Sequence, residues 1–240
     1  MAATSNIPLV ARRSISENEE LLREALPRHR HDLPRDAVRA SQAARVLIAT
    51  SEVVAAKGYA GTTVRDITRE AGVSQKTFYE LFENKEDAFL AAYAAIDLVI
   101  ERMMAAGLDE GEPRAMVEAG IRAFLETLAS EPAFTRMLVI EAVGAGSRVL
   151  ERRARAFRDF ASVLAIPIQR ARERDPEIPA ADEALLTAVL GGINELVLQH
   201  LIEGEPDTLT DLLPTAVRLV ERACLEPGPA PKRRELGRRR

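Results

Sequence analysis

Gln75, Lys76, Thr77 and Tyr79 crowd into the short stretch that follows Gly72, with Ser74 just ahead of them. A Gln amide forms paired hydrogen bonds with an adenine edge, an ammonium group reaches guanine acceptors or a phosphate, and hydroxyls fix orientation on a sugar–phosphate backbone. Thr63, Arg65 and Lys85 add a further hydroxyl and two cations nearby in the chain. The chemistry these side chains offer is recognition of double-stranded DNA. Catalysis is poorly provided for: the three His stand at positions 29, 31 and 200, the one Cys is Cys224, and no Ser/His/Asp, Cys/His or metal-ligand spacing joins them. No catalytic residue, metal site or cofactor is expected.

Such side chains need elements to hold them. Thr63 with Asp66, Ser74 with Thr77, and Asn84 with Asp87 each read as a helix start, where a side-chain oxygen satisfies an amide that has no partner in the first turn. Gly72 permits a turn with positive φ between the first two. The result is a short helix, a tight turn and a second short helix, the helix-turn-helix arrangement. Ile67, Val73, Phe78, Leu81 and Phe82 fall at spacings that turn them inward. They face the stripe Val46, Leu47, Thr50, Val53 and Val54 of a preceding helix, which starts near Asp36 and stops at Lys57-Gly58. Gln75, Lys76 and Tyr79 then point outward, from a helix start whose free amides suit a phosphate-lined groove. On chemistry alone, short helical hairpins with surface Gln and Lys also occur in helical proteins of other functions.

The wording of the segment is more specific. Thr-Thr-Val-x-Asp-Ile at 62–67, Ala-Gly-Val-Ser-x-x-Thr-Phe-Tyr at 71–79 and Phe-x-Asn-Lys-Glu-Asp at 82–87 closely resemble the DNA-binding domain of the TetR (tetracycline-repressor-like) family. Lys57-Gly58-Tyr59 is similar to the end of that family's preceding helix, and the resemblance covers about Ala43 to Ala92. It implies a three-helix DNA-binding unit joined by a fourth helix to a helical domain for ligand binding and dimerisation. The partners it implies are a double-stranded DNA operator, a second copy of the chain and an unknown small-molecule effector. The function it implies is a repressor released by that effector; the alternatives are a constitutive or structural DNA-binding protein without effector and, less favoured, a helical enzyme. Carried over residue by residue, Gln75, Lys76, Thr77 and Tyr79 lie on the recognition helix, and Arg65 and Lys85 on phosphates. The chain departs from the commonest family pattern at Thr68, where Ala is frequent, and at Lys76, where Gly or Pro is often found.

Composition agrees with a helical protein: 47% of the 240 residues are hydrophobic, 29% charged, only 4% aromatic, and Trp is absent. The expected fold class is all-α. A net charge of −4 and a pI near 5.6 exclude the broad positive field of a non-specific nucleic-acid binder, so DNA affinity must be local. The lone Cys224 and the lack of a secretory signal pattern point to the reducing cytoplasm. No apolar run approaches the roughly 20 residues needed to span a bilayer, so no membrane association is expected. The organisation reads as an arm at 1–34, a DNA-binding domain at 35–83, an effector and dimerisation domain at 84–225, and a basic tail at 226–240. Arg28 and Arg30 are minor-groove candidates on the arm.

Beyond the DNA-reading unit, one longer helix is expected to run to about Ala106. Five more follow, at Arg114–Ser130, Pro132–Val143, Ser147–Arg174, Asp182–Ile202 and Leu209–Leu225, with Gly144-Ala145-Gly146 as a turn. Pro167 should kink or break the third of these five. Met103, Met104, Phe124 and Phe134 are candidates for an apolar ligand pocket, as are Met137, Phe157 and Phe160, with Glu141 as its polar contact; ordinary core packing would produce the same pattern. Leu185, Ala188, Val189, Gly192 and Leu196 form a stripe whose small residues allow close helix approach, and with Leu213 and Val217 they are the candidate dimer interface.

Overall fold

Thr63, Ser74 and Asn84 each begin a helix in the computed structural model, which describes residues 35–204 and 206–226 of the chain. The expected arm at 1–34, with Arg28 and Arg30, and the tail beyond Glu226 lie outside the described residues. Helix α1 spans Arg35–Gly61, and its buried face carries Val46, Leu47, Val53 and Val54. Its expected stop at Gly58 appears as a kink, with φ 74° and ψ 157° at that residue, and one further turn to Gly61. A side chain there would be strained, because the left-handed region brings Cβ against the backbone.

Helices α2 (Val64–Ala71) and α3 (Gln75–Leu81) follow, separated by Gly72 at φ 62°, whose amide bonds back to the Arg69 and Thr68 carbonyls. Seven residues cannot hold a helix in water unaided. Packing holds α3: Phe78 and Ile67 are fully buried against α1, and Phe82 nearly so, while Val73 and Leu81 are partly covered.

The single longer helix expected after Asn84 is two helices, α4 (Lys85–Tyr93) and α5 (Ile96–Leu108). At the break the amides of Ala95, Asp97 and Leu98 bond to carbonyls three residues back, the tighter 3₁₀ pattern. Ala94, Ala95 and Ile96 are all buried there, so packing around the joint dictates a bend that periodicity does not reveal. Helix α6 (Pro113–Ser130) returns beside α5 as a hairpin, and α7 (Pro132–Val139) runs into a 3₁₀ turn at Glu141–Gly144. Helix α8 spans Ser147–Arg174 and continues through Pro167. The expected break is absent: Leu164, Pro167 and Ile168 are all buried, so packing holds the helix through the proline, and a narrow, partly open cleft lies beside it. Helix α9 (Glu183–Glu203), a 3₁₀ segment at Pro206–Leu212, α10 (Leu213–Val220) and a π-helical turn at Glu221–Leu225 complete the chain.

Among the described residues no strand is present, and the fold is all-α as expected. One buried apolar cluster runs without interruption from Val46 and Phe78 through Phe89 and Tyr93 to Ile121, Phe160 and Val197. The hairpin of α2 and α3 is therefore packed on the same core as the rest of the molecule.

Phe78→Ala removes the ring that seats α3 and should lower unfolding stability by roughly 3–5 kcal/mol. Met104→Ala, at a side chain 38% exposed, should stay far below that cost. Urea unfolding followed by circular dichroism compares the two.

Candidate nucleic-acid interface and ligand cavity

The loop into α2 is built from a reciprocal cap. The Asp66 amide donates to Thr63 Oγ1 at 3.2 Å, and the Thr63 amide and hydroxyl donate to Asp66 Oδ2 at 3.2 and 2.7 Å. Lys57 Nζ and Arg69 Nη2 donate to Asp66 Oδ1 at 2.6 and 3.0 Å. Hydrogen bonds from Lys57 and then Thr63 hold the Asp66 carboxyl well below its usual 3.8, against the opposing effect of desolvation. The network ties the end of α1 to the start of α2.

Helix α3 is anchored at both ends. Ser74 Oγ accepts from the Thr77 amide at 3.0 Å and shares a hydrogen bond with Thr77 Oγ1 at 2.9 Å. At the other end Arg39 of α1 donates to the Glu80 carbonyl at 2.8 Å, a cation placed where the last carbonyls need donors. With Phe78 facing in, Gln75 and Lys76 are exposed and Tyr79 is 57% exposed, its ring edge-on to Phe78. Arg65 is exposed on the adjacent α2. Lys76 has only a loose contact of 3.9 Å with Glu80. Gln75, Lys76 and Tyr79 are thus the solvent-exposed polar residues of α3, and Arg65 is one of those of α2.

Lys85, expected to contact a phosphate, lies at the end of α1 in this structure. Its ammonium donates to the Tyr59 and Thr62 carbonyls at 2.8 and 2.9 Å and lies 4.3 Å from the Tyr59 ring centroid. Both carbonyls lie where α1 ends after its kink, that of Tyr59 also accepting from the Thr62 amide at 3.3 Å, so Lys85 serves as a clasp between α1 and α4.

A cavity of about 650 Å³ of atom-free space, part of it open to solvent, lies between α4–α6, α7, α8 and α9. Its wall is almost wholly apolar. Met103, Phe124, Phe157 and Phe160 line it, together with Ile96, Ile121, Leu138 and Ile193. Phe134 and Met137 are buried in the core without lining it. Met104 lines the cleft near Pro167. The polar members of the wall are Tyr93, Arg153 and Asn194, which periodicity alone did not single out. Asn194 interrupting an apolar helix, and Arg153 one turn before Phe157, were the signals available.

Glu141 is not in the wall. Its Oε2 accepts from the Tyr59 amide at 2.8 Å, beside the Gly58 kink, and Arg136 Nε donates to the Ala55 carbonyl at 3.1 Å. Thus α7 and its following turn present Leu138 and Val139 to the cavity while Arg136 and Glu141 grip the end of α1. A second link joins Arg148 of α8 to Asp87 and Glu86 of α4, at 3.0 and 3.6 Å.

On the far side, α9 leaves Ala188 exposed, and Leu185, Leu196 and Val217 of α10 are partly exposed. Val189 and Leu213 of the expected interface are buried inside the protomer, since they face the core cluster. Gly192 also works within the chain: a Cβ there would lie 3.1 Å from Leu219, so it allows α9 and α10 to approach. Contrary to the expectation that no apolar run has that length, helix α9 is long and apolar enough to cross a bilayer, with mean hydropathy 1.5 over its most apolar stretch, of which 28% is buried.

Residues 46–92 match the family model for bacterial regulatory proteins of the tetR family. No curated protein is matched by the sequence. Among solved structures, the transcriptional regulator FadR from Bacillus subtilis in complex with stearoyl-CoA is similar at 18% identity, over 73% of this chain and 96% of that one, with a TM-score of 0.63. The fatty acid degradation regulator FadR from Bacillus halodurans is similar at 16% identity, over 75% and 94%, with a TM-score of 0.67. The TetR family transcriptional regulator PfmR from Thermus thermophilus is similar at 17% identity, over 82% and 100%, with a TM-score of 0.58. At these identities the likeness is one of fold.

The Asp66 network carries a pH signature. A carboxyl whose folded pKa is lowered contributes stability that is present above its unfolded value and is lost as pH falls through the folded one. The stability difference between the parent and Asp66→Asn should therefore be largest near neutral pH and shrink as pH falls below the usual 3.8. Urea midpoints of both proteins across acid pH measure it.

Proposed function

The chain carries the DNA-binding domain of the tetR-family regulators at residues 46–92, and on that premise we propose that it is a dimeric repressor whose hold on its operator is released by a small apolar effector. The observation that carries the DNA-reading part is the outward face of α3. Gln75, Lys76 and Tyr79 stand exposed on a helix fixed by Phe78, Ser74 and Arg39. In the proposed complex Gln75 reads a base edge in the major groove, Lys76 a base or phosphate, and Arg65, Thr63, Ser74, Thr77 and Tyr79 contact the backbone. The DNA-reading domain is taken as 35–83 and the effector and dimerisation domain as 84–225.

A second copy is the partner that fits α9. Leu185, Ala188 and Leu196 with Val217 offer an apolar surface that the chain's own core leaves uncovered. A two-fold pair would present two α3 helices to successive major grooves about 34–36 Å apart.

The cavity supports an effector with a long apolar portion, and the complex of one similar fold with stearoyl-CoA favours an acyl chain. The route from cavity to DNA runs through α7. A chain lodged against Leu138 and Val139 displaces α7, and Arg136 and Glu141 carry that movement to the end of α1. By linkage, an effector that weakens operator binding must itself bind the operator-bound protein less tightly by the same factor.

Selection of DNA fragments by the purified protein tests the reading. The parent should enrich a roughly palindromic site. Gln75→Ala should change the preferred bases, with a loss of about 1–3 kcal/mol at the affected position. Tyr79→Ala should weaken all sequences alike. An unaltered base preference in the Gln75 variant would remove its assigned role. In light scattering the parent should be a dimer and Ala188→Arg, which sets like charges against each other across the two-fold, a monomer.

A further inference from the structure

The cavity wall contains a cation that the protein does not neutralise. Arg153 lines the cavity and lies over the Phe157 ring, 4.4 Å from guanidinium carbon to ring centroid. Among the described residues it forms no ion pair and no hydrogen bond. Its neighbour Arg152 is treated differently: it is paired with Asp97, and its guanidinium lies 5.8 Å from the Tyr93 ring. One carboxylate therefore answers two guanidiniums, and the remaining positive charge belongs to the cavity.

Two neutral polar groups stand with it. Asn194 of α9 and Tyr93 at the end of α4 are the other polar side chains of the wall. The Tyr93 side chain is 2% exposed and its hydroxyl has no hydrogen-bond partner among the described residues. Burial pushes the Tyr93 pKa up to about 12, while Arg153 and Arg152 pull it down, which places both charges close to the ring. The hydroxyl is therefore a neutral donor at neutral pH.

A charge on an apolar wall is stabilised by an opposite charge brought into the same sheltered space, where a charge-assisted hydrogen bond is stronger than in water. We infer that the effector is an anionic amphiphile, with its apolar chain among Ile96, Ile121, Phe124 and Phe160 and its carboxylate or phosphate bound by Arg153, with Asn194 and Tyr93 as neutral donors. This rests on the reading of the cavity as the effector site. It goes beyond that reading by assigning the ligand's charge and the residue that selects it. A free carboxylate and the phosphates of a thioester carrier share this chemistry.

Binding of dodecanoate and hexadecanoate, their CoA thioesters, and their neutral methyl esters is measured by calorimetry on the full-length parent, Arg153→Met and Arg153→Lys. The parent should prefer anionic ligands over the matching methyl ester by roughly tenfold or more, the size of one charge-assisted hydrogen bond. Arg153→Met should abolish that preference with methyl-ester affinity unchanged, which shows that the cavity is intact, and Arg153→Lys should keep part of it. A dependence on Arg153 for the free acids alone identifies a carboxylate, and for the thioesters alone a phosphate. If methyl esters bind the parent as tightly as the acids and thioesters, and Arg153→Met changes nothing, the inference is overturned while the apolar effector stands. If no ligand of either charge binds although the protein still binds its operator, the effector reading itself falls, and this inference with it.

Discussion

The burial of Phe78 against α1 is the contact on which the exposed polar side of α3, the proposed DNA-reading face, depends. Helix α3 has only Gln75–Leu81, too few residues to be helical by propensity, and its first and last turns leave amides and carbonyls without partners. Three restraints compensate. Phe78 and Ile67 remove apolar surface from water, Ser74 takes up the Thr77 amide, and Arg39 reaches from α1 to the Glu80 carbonyl. With Phe78 facing in, Lys76 and Tyr79 turn outward, and Gln75, the first residue of the helix, is exposed as well. The orientation of Lys76 and Tyr79 follows from the core.

The end of α1 is the second constraint, and it concentrates connections that are far apart in the chain. The kink at Gly58 frees backbone groups that an unbroken helix would satisfy. The Lys85 ammonium takes the Tyr59 and Thr62 carbonyls, the Glu141 carboxylate takes the Tyr59 amide, and Arg136 takes the Ala55 carbonyl. Lys57 and Asp66 then fasten the next helix to the same place. Exposed ion pairs such as Arg148 with Asp87 contribute little stability by themselves. A carboxylate bonded to a half-buried amide is a stiffer link, since breaking it leaves a polar group without a partner. The joint is thus suited to carry a displacement of α7, whose opposite face is cavity wall.

Charge is used locally throughout. With a net charge of −4 the molecule carries no broad positive field, and in the proposed complex the exposed Arg65 and Lys76 act at short range. The same economy holds in the cavity, where Arg152 is matched by Asp97 and Arg153 is not.

What the sequence by itself determined was whatever is encoded over a few neighbouring residues. The caps at Thr63, Ser74 and Asn84, the left-handed turn at Gly72 and the inward set Ile67, Phe78 and Phe82 were legible because capping and helical periodicity act over three or four positions. The all-α class followed from the same local rules. Tertiary structure decided the rest. The break at Ala94–Ala95 and the unbroken α8 at Pro167 come from packing that overrides local preference. Glu141 and Lys85 took roles at the end of α1, and Val189, Gly192 and Leu213 turned to the protomer's own interior. Arg153, Asn194 and Tyr93 became neighbours around one cavity only through folding. Such partners are dozens of residues apart, and periodicity gives which side of a helix is apolar but not which surface it meets.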